Sequence, residues 1–518
     1  MFDPSQHVIY SVNGRLTGPG DATGSSLADI SRIVGAALES DDPALVIHFH
    51  GGLVNRAAGE GIARRLCPLY EGAPTIYPLF FVWESGLIES IKNNLRDIAD
   101  DKLFQELIKK VARWALKQLP AGAALRGAGG QVDVEVLEGE FDAYFAGKGI
   151  APLPSVFQLT GGTAPKLRGA EAYDSEAGLA LDIQLALEGD DDFQAVLQDI
   201  HGDIKPSDVV SPSLKDNGVG MVVSSMTQIS PSKVDQIFDI TPNTKGIFAI
   251  GKVAVFIARI VWAVIRRYQS GRDHGPYTTI VEEVLAAAYI DKLGGVIWNQ
   301  MKKDTADAFV DADMSVGAAL LAAIKAEQIR AGKTFKRIVL IGHSTGAVYI
   351  ANLIDSSAKI LPDAKFEVVF LAPAITYARL AQTLQDNAHR IVQCRRFAMH
   401  DDVEAQDVLV PVIYPRSLLY LVSGVLEFSD GDAPLRVPDT PVVGMERFRL
   451  HPKTFTPEQF PEIESVEAFL AKFSNGSVWS VTDQASLDGL RSISRKHGDF
   501  DDDPDTVNSL VRILSGGF

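Results

Sequence analysis

Cysteine is scarce: Cys67 and Cys394 are the only two in 518 residues. A disulfide framework or a cysteine zinc site needs more thiols at closer spacing, so both are excluded and the usage fits a reducing cytosol. Basic blocks are missing as well, with 49 Lys and Arg set against 66 Asp and Glu for a formal net charge of -17. Acidity spread in this way lacks the electrostatic footprint of a nucleic-acid binder and disfavours non-specific attraction to anionic lipid. The opening residues, MFDPSQHVIYSVNG, carry neither the basic region nor the apolar core of a signal peptide, which leads us to expect a cytoplasmic protein.

No long apolar run goes uninterrupted. The best candidate, GIFAIGKVAVFIARIVWAVIRR at 246–267, is broken by Lys252, Arg259 and Arg266, whose spacing puts all three on one helical face. A spanning helix would bury two of these charges near mid-bilayer at about 2.5 to 3.5 kcal/mol each. The expectation is a packed amphipathic helix, with a helix lying on a membrane surface as the less favoured alternative. No repeat of fixed period occurs, and EGDDDF at 188–193 reads as a solvated turn rather than a metal loop.

What is present points to a folded α/β protein. The apolar fraction is 46% and the charged fraction 22%, as in globular domains. HVIYSV, a helical Ser26 to Leu38, ALVIHFHGG, a helical EGIARRLCPLY and TIYPLFFVWE alternate as strand, helix, strand, helix, strand. Such alternation predicts a largely parallel sheet covered by helices. The rhythm then breaks. Ile88 to Leu119 is helical, PAGAALRGAGG is a hinge or loop, residues up to about Thr241 are irregular, and 246–301 is helical again. Alternation resumes with a helix closed by Gly332, the strand FKRIVLIGHS, a helix from Gly346, the strand KFEVVFLAP, a helix near Tyr377, and the strand RIVQCRRFAMH. A helical PRSLLYLVSGVLE follows. The last helix starts at Pro504 with Asp503 as its N-cap.

At the end of the strand Ile338 to Ile341 stands GHSTG, Gly342 to Gly346. Chance yields roughly 0.2 pentapeptides of the form G-x-S-x-G in such a chain, so context must decide. A serine hydroxyl needs an exposed strand-to-helix turn, a base within reach and a helix N-terminus that favours negative charge. Glycines allow that turn. GHSTG resembles the nucleophile elbow of the α/β-hydrolase superfamily, and HFHGGL, His48 to Leu53, is similar to its oxyanion loop.

The resemblance covers Phe2 to Glu84 and Asp304 to Phe518. It implies an α/β-hydrolase fold, a mostly parallel central sheet flanked by helices, with core segments 1–88 and 304–518 and a large, mainly helical cap inserted at 89–303. Ser344 would be the nucleophile, and backbone N–H groups of Gly52 or Leu53 and of Thr345 the oxyanion hole. His50 would shape the loop. The superfamily's order of nucleophile, acid, base makes Asp401 the first choice of acid and Asp402 the alternative, with Glu404 and Asp407 remaining. Of the two histidines beyond them, His497 in a polar loop before the last helix is preferred over His451. Compact members bring oxyanion loop and elbow closer in sequence than positions 50 and 344, so lid and partner roles do not transfer to the insertion. Within it, Asp273 and His274 read as a capping turn rather than as groups at the active-site mouth, and Trp83, Glu84 and Ser85 are placed at the pocket edge.

The implied activity is a serine hydrolase cleaving a carboxylic ester or related acyl bond through a covalent acyl-enzyme, on a small-molecule substrate that is lipid-like or bulky and apolar, with neither metal nor organic cofactor. Amidase, thioesterase and acyltransferase chemistry stay open. Two readings compete: an interaction or signalling protein that uses the core as a scaffold, and a membrane-docked phospholipase with Phe256 and Trp262 on its docking face.

Overall fold

The computed structural model describes residues 2–17, 24–52, 55–73, 76–83, 87–118, 134–147, 152–154, 157, 175–203, 228–230, 250–293, 295–427 and 438–518. Seven strands form one sheet: β1 (Val8–Ser11), β2 (Ala44–Phe49), β3 (Ile76–Trp83), β4 (Arg337–His343), β5 (Phe366–Leu371), β6 (Ile391–Met399) and β7 (Ser477–Ser480). Their order is β1-β3-β2-β4-β5-β6-β7, and every pairing is parallel. This is an α/β-hydrolase-like topology with a large helical insertion. The strands predicted from apolar runs are in place. β7 escaped prediction because four residues with only Val478 and Ser480 buried give too short a pattern.

Alternate residues of each strand feed two apolar layers, as the two-residue period of a strand requires. Val46, Phe80, Ile341 and Val369 pack on one face with α2 (Arg56–Glu71) and α12 (Pro504–Gly516). Ile47, Phe81, Leu340 and Val368 pack on the other with α1 (Leu27–Ala37), α8 (Val316–Ala331), α9 (Gly346–Ile360), α10 (Tyr377–Asn387) and α11 (Pro461–Leu470). The expected caps are present. Ser26 and Asp29 close a capping box on α1, Gly332 ends α8 at φ 62°, and Asp503 accepts from the Asp505 and Thr506 amides.

Between β3 and β4 the described chain is helical. α3 (Leu87–Ala99) and α4 (Lys102–Gln118) divide the single helical stretch read from 88 to 119, because the Asp101 carboxylate caps the second by accepting from Leu103 N at 2.8 Å. Further helices run over Val134–Ala146, Glu176–Glu188 and Asp191–Asp203. Asp190 of the EGDDDF turn accepts from Phe193 N and pairs with Lys110 at 2.7 Å, a capping turn tied to α4. PAGAALRGAGG lies outside the described residues.

The apolar stretch beginning at 246 forms α5 (Ile250–Ser270), followed by α6 (Pro276–Val284) and α7 (Gly295–Asp307). Lys252, Arg259 and Arg266 are exposed, while Phe256, Val261 and Val264 are buried in the same layer as the sheet's inner residues. Burial of Phe256 removes it from any docking face. Among the described residues no helix is long and apolar enough to cross a membrane.

The strand order reverses direction between β2 and β4, where a parallel sheet opens a crevice at its carboxyl edge. Phe49 pairs with Gly342 there. The segments His50 to Gly52 and His343 to Gly346 therefore leave adjacent strand ends side by side.

Candidate active site

Ser344 occupies the turn between β4 and α9 with φ 54°, a left-handed conformation that a non-glycine residue adopts only where its surroundings impose it. Its amide donates to Leu371 O at 2.8 Å and its carbonyl accepts from Ala374 N at 3.0 Å, which ties the turn to the end of β5. The flanking glycines answer to close approach. A Cβ on Gly342 would lie 2.8 Å from the Gly346 carbonyl carbon, and one on Gly346 would lie 2.4 Å from Phe49 O.

Phe49 is held in the middle of the sheet and cannot yield. Gly346→Ala is accordingly expected to cost about 1 to 3 kcal/mol in stability, whereas Gly61→Ala, in α2 with nothing within 4 Å of its Cβ, should stabilise by up to about 1 kcal/mol. Urea unfolding of both variants beside wild type tests the contrast.

His497 arrives from the loop between β7 and α12. Its Nε2 lies 2.8 Å from Ser344 Oγ, and both side chains are buried. Burial, reinforced by the positive charge of His343, pushes the His497 pKa down to about 3, so the imidazole is neutral and able to accept the serine proton. Its Nδ1 is buried with no hydrogen-bond partner among the described residues. His451, the other candidate base, is exposed after the short helix Arg447–Leu450.

The candidate acids separate by what they touch. Asp401 accepts from the Tyr420 hydroxyl at 2.7 Å, and Asp402 is exposed; neither is hydrogen-bonded to His497. Glu404 is buried against Ser417, and burial raises its pKa to about 8, which leaves it protonated at neutral pH. Asp407 is the carboxylate that meets His497: its Oδ2 accepts from the His497 backbone N–H at 2.8 Å. Asp401 was preferred from the sequence because it directly follows the strand end. The turn of helix Asp401–Glu404 carries the chain on, so that the residue one and a half turns later reaches the histidine loop.

On the side of β2, Gly52 N donates to Thr345 Oγ1 at 2.5 Å, which joins the HGG segment to the residue after Ser344. A Cβ at Gly52 would also meet Met301 Sδ at 2.4 Å, so α7 of the insertion packs directly on this loop. Leu53 lies outside the described residues, as do Glu84 and Ser85. His50 shapes the loop: its Nδ1 donates to Gly51 O and its Nε2 accepts from Trp83 N, while burial lowers its pKa to about 4 and keeps it neutral.

No family model matches the chain, and comparisons with curated proteins and with solved structures give no match.

His274 lies away from Ser344, in a buried ionic network. Its Nδ1 faces Glu282 at 2.7 Å and its Nε2 faces Asp439 at 2.8 Å; Arg267 pairs with Glu282 at 2.6 Å and Arg447 with Asp439 at 3.0 Å. Asp273 caps the turn by accepting from Gly275 N. Tyr420, which donates to Asp401, packs edge-on against the His274 ring at 4.7 Å. Asp401 therefore belongs to the periphery of this network. No sequence signal pointed to the network, because its members are spread from position 267 to 447.

Proposed function

We propose that the protein is a serine hydrolase that cleaves a carboxylic ester or related acyl bond, with Ser344 as nucleophile and His497 as general base. The observation that carries this reading is the 2.8 Å approach of His497 Nε2 to Ser344 Oγ at a left-handed strand-to-helix turn. Ser344 Oγ attacks the acyl carbonyl carbon as its proton passes to His497 Nε2. The tetrahedral intermediate collapses when the protonated histidine gives that proton to the leaving oxygen, and water then cleaves the acyl-serine ester by the same route.

Asp407 replaces Asp401 as the proposed acid. Asp407 is the carboxylate bonded to the His497 amide, which makes it the acid proposed to meet the Nδ1 that has no partner among the described residues. There it would fix the tautomer and raise the imidazole's basicity towards the range useful at neutral pH. The Thr345 amide, at the N-terminus of α9, and the Gly52 amide serve as oxyanion donors, the second once the Thr345 hydroxyl turns away. Ser344 has no exposed surface and Met301 covers the Gly52 loop, so α7 acts as part of a closed cap that a substrate displaces. Met301, the insertion side chain that meets the Gly52 loop, is apolar, which supports an apolar acyl group as substrate.

The test is labelling with a fluorophosphonate probe. Folded wild-type protein is expected to be labelled in a time-dependent reaction and Ser344→Ala not at all. Unlabelled wild-type protein would remove the hydrolase reading and leave the scaffold reading in its place. A series of p-nitrophenyl esters then reads the acyl group, with higher kcat/KM on longer chains expected.

A further inference from the structure

Two consecutive residues grip His497. Ser344 meets its ring at Nε2, and His343, the residue before the nucleophile, meets its backbone: His343 Nε2 lies 2.9 Å from His497 O. Side chains of neighbouring residues on a strand point to opposite faces. The left-handed turn at Ser344 breaks that alternation and lets both reach the same loop.

A carbonyl oxygen only accepts, so His343 Nε2 carries a proton. The other nitrogen, Nδ1, faces a carboxylate, Asp501 Oδ2 at 3.5 Å. An imidazole with an acceptor facing each nitrogen favours the doubly protonated cation over either neutral tautomer. Asp501 is itself buried, and the segment carrying it is held by Arg65 of α2, which donates to Asp501 O at 2.9 Å and pairs with Asp502 at 2.6 Å. The cation lies beside the His497 ring, with centroids 5.5 Å apart.

We propose that His343 is a positioning residue for His497: it clamps the histidine loop through the His497 carbonyl and sets a positive charge beside the base that keeps it unprotonated. This deepens the hydrolase reading above and rests on it for its catalytic consequence. The directions of the two rings' titration agree with it. Burial works against charge on His343 but Asp501 outweighs it and raises that pKa, whereas His343 adds to burial in lowering that of His497. The other groups facing the pair do not supply the charge. His48 on β2 and His50 just beyond its end are kept neutral by burial, and Arg65 is engaged by Asp502. On the far side Asp407 contacts His497 through the backbone amide, and Lys496 and Asp499 act on Asp407.

Two variants separate the clamp from the charge. His343→Gln keeps an N–H donor near the Nε2 position and removes the charge; His343→Ala removes both. The rate of fluorophosphonate labelling is measured from about pH 2.5 to 9, which brackets the low His497 pKa, with circular dichroism confirming the fold at each pH. His343→Ala should slow labelling by about 10²-fold at every pH, as a misplaced base does. His343→Gln should recover most of that loss on the alkaline plateau, yet its acid limb should lie about one pH unit higher than in wild type, because a like charge at this distance no longer opposes protonation. Labelling of His343→Ala at the wild-type rate with an unmoved limb would overturn the proposal. So would equal slowing of both variants with no shift of the limb, which is the mark of a packing role alone. The His497 ring titration, followed by NMR of histidine-labelled protein with His497→Gln for assignment, needs no turnover. Its midpoint should rise in His343→Gln even if Ser344 proves unreactive, and a midpoint that stays in place refutes the charge independently of the hydrolase reading.

Discussion

His497→Ala is expected to lower kcat on an activated ester by a factor on the order of 10⁶. KM should stay within a few-fold, because the imidazole acts on the proton and not on the acyl group. Ser344 Oγ has one base at 2.8 Å, and without it the hydroxyl proton has no acceptor as the carbonyl is attacked. The same assay decides the acid. Asp407→Asn should cost about 10⁴ in kcat, the loss that follows when the imidazole takes the wrong tautomer. Asp401→Asn should leave kcat close to wild type, since that carboxylate is bonded to Tyr420. The opposite pattern would restore Asp401 and disprove Asp407. The pH profile has a definite sign: the base works when unprotonated, and burial lowers its pKa from 6.5, so the acid limb of kcat/KM lies below pH 6.5 and the rate is level above it.

Removing one partner of the ionic network around His274 is expected to have the largest effect on stability. Glu282 and Asp439 are completely buried, and burial alone would raise their pKa values. The neighbouring charges reverse this, His274 and Arg267 holding Glu282 at about 2, with Arg447 and His274 holding Asp439 lower still. Arg447→Ala leaves Asp439 without a guanidinium in a place water does not reach. His274 remains its partner but is shared with Glu282, so the buried carboxylate is under-compensated and a loss of about 3 kcal/mol is expected. Arg259→Ala, which breaks the exposed pair with Glu176, should cost under about 1 kcal/mol. Urea unfolding distinguishes the two, and equal small effects would mean that the network contributes little. The network joins α5 and α6 of the insertion to 439–447 of the core, so Arg447→Ala should also loosen the cap over Ser344.

Local pattern was enough for much of the fold. Continuous apolar runs such as ALVIHFHGG and FKRIVLIGHS can only be strands buried on both faces, and the Ser26, Gly332 and Asp503 signals act within a few residues of the helices they bound. GHSTG was legible for the same reason, since the turn at Ser344 and the contact between Gly342 and Gly346 are made inside one pentapeptide. The acid was not. Asp401, Asp402, Glu404 and Asp407 are four carboxylates within seven positions, and their sequence is equally suited to any of them. What separates them is whether Tyr420, Ser417 or His497 lies opposite, and each of those partners arrives from a later part of the chain.

The amino-acid sequence by itself determined six of the seven strands, most helix ends, the strained turn at Ser344 and the order of Ser344 before His497, because these depend on contacts between near neighbours along the chain. The tertiary structure alone decided that Asp407 meets His497, that Met301 of the insertion closes on Gly52, that His343 faces Asp501, and that a buried network fastens the insertion to the core. Those pairings join residue 407 to 497, 52 to 301, 343 to 501 and 274 to 439. Burial decides their strength, because an ion pair or hydrogen bond that is worth little in water becomes decisive once folding removes the water around it.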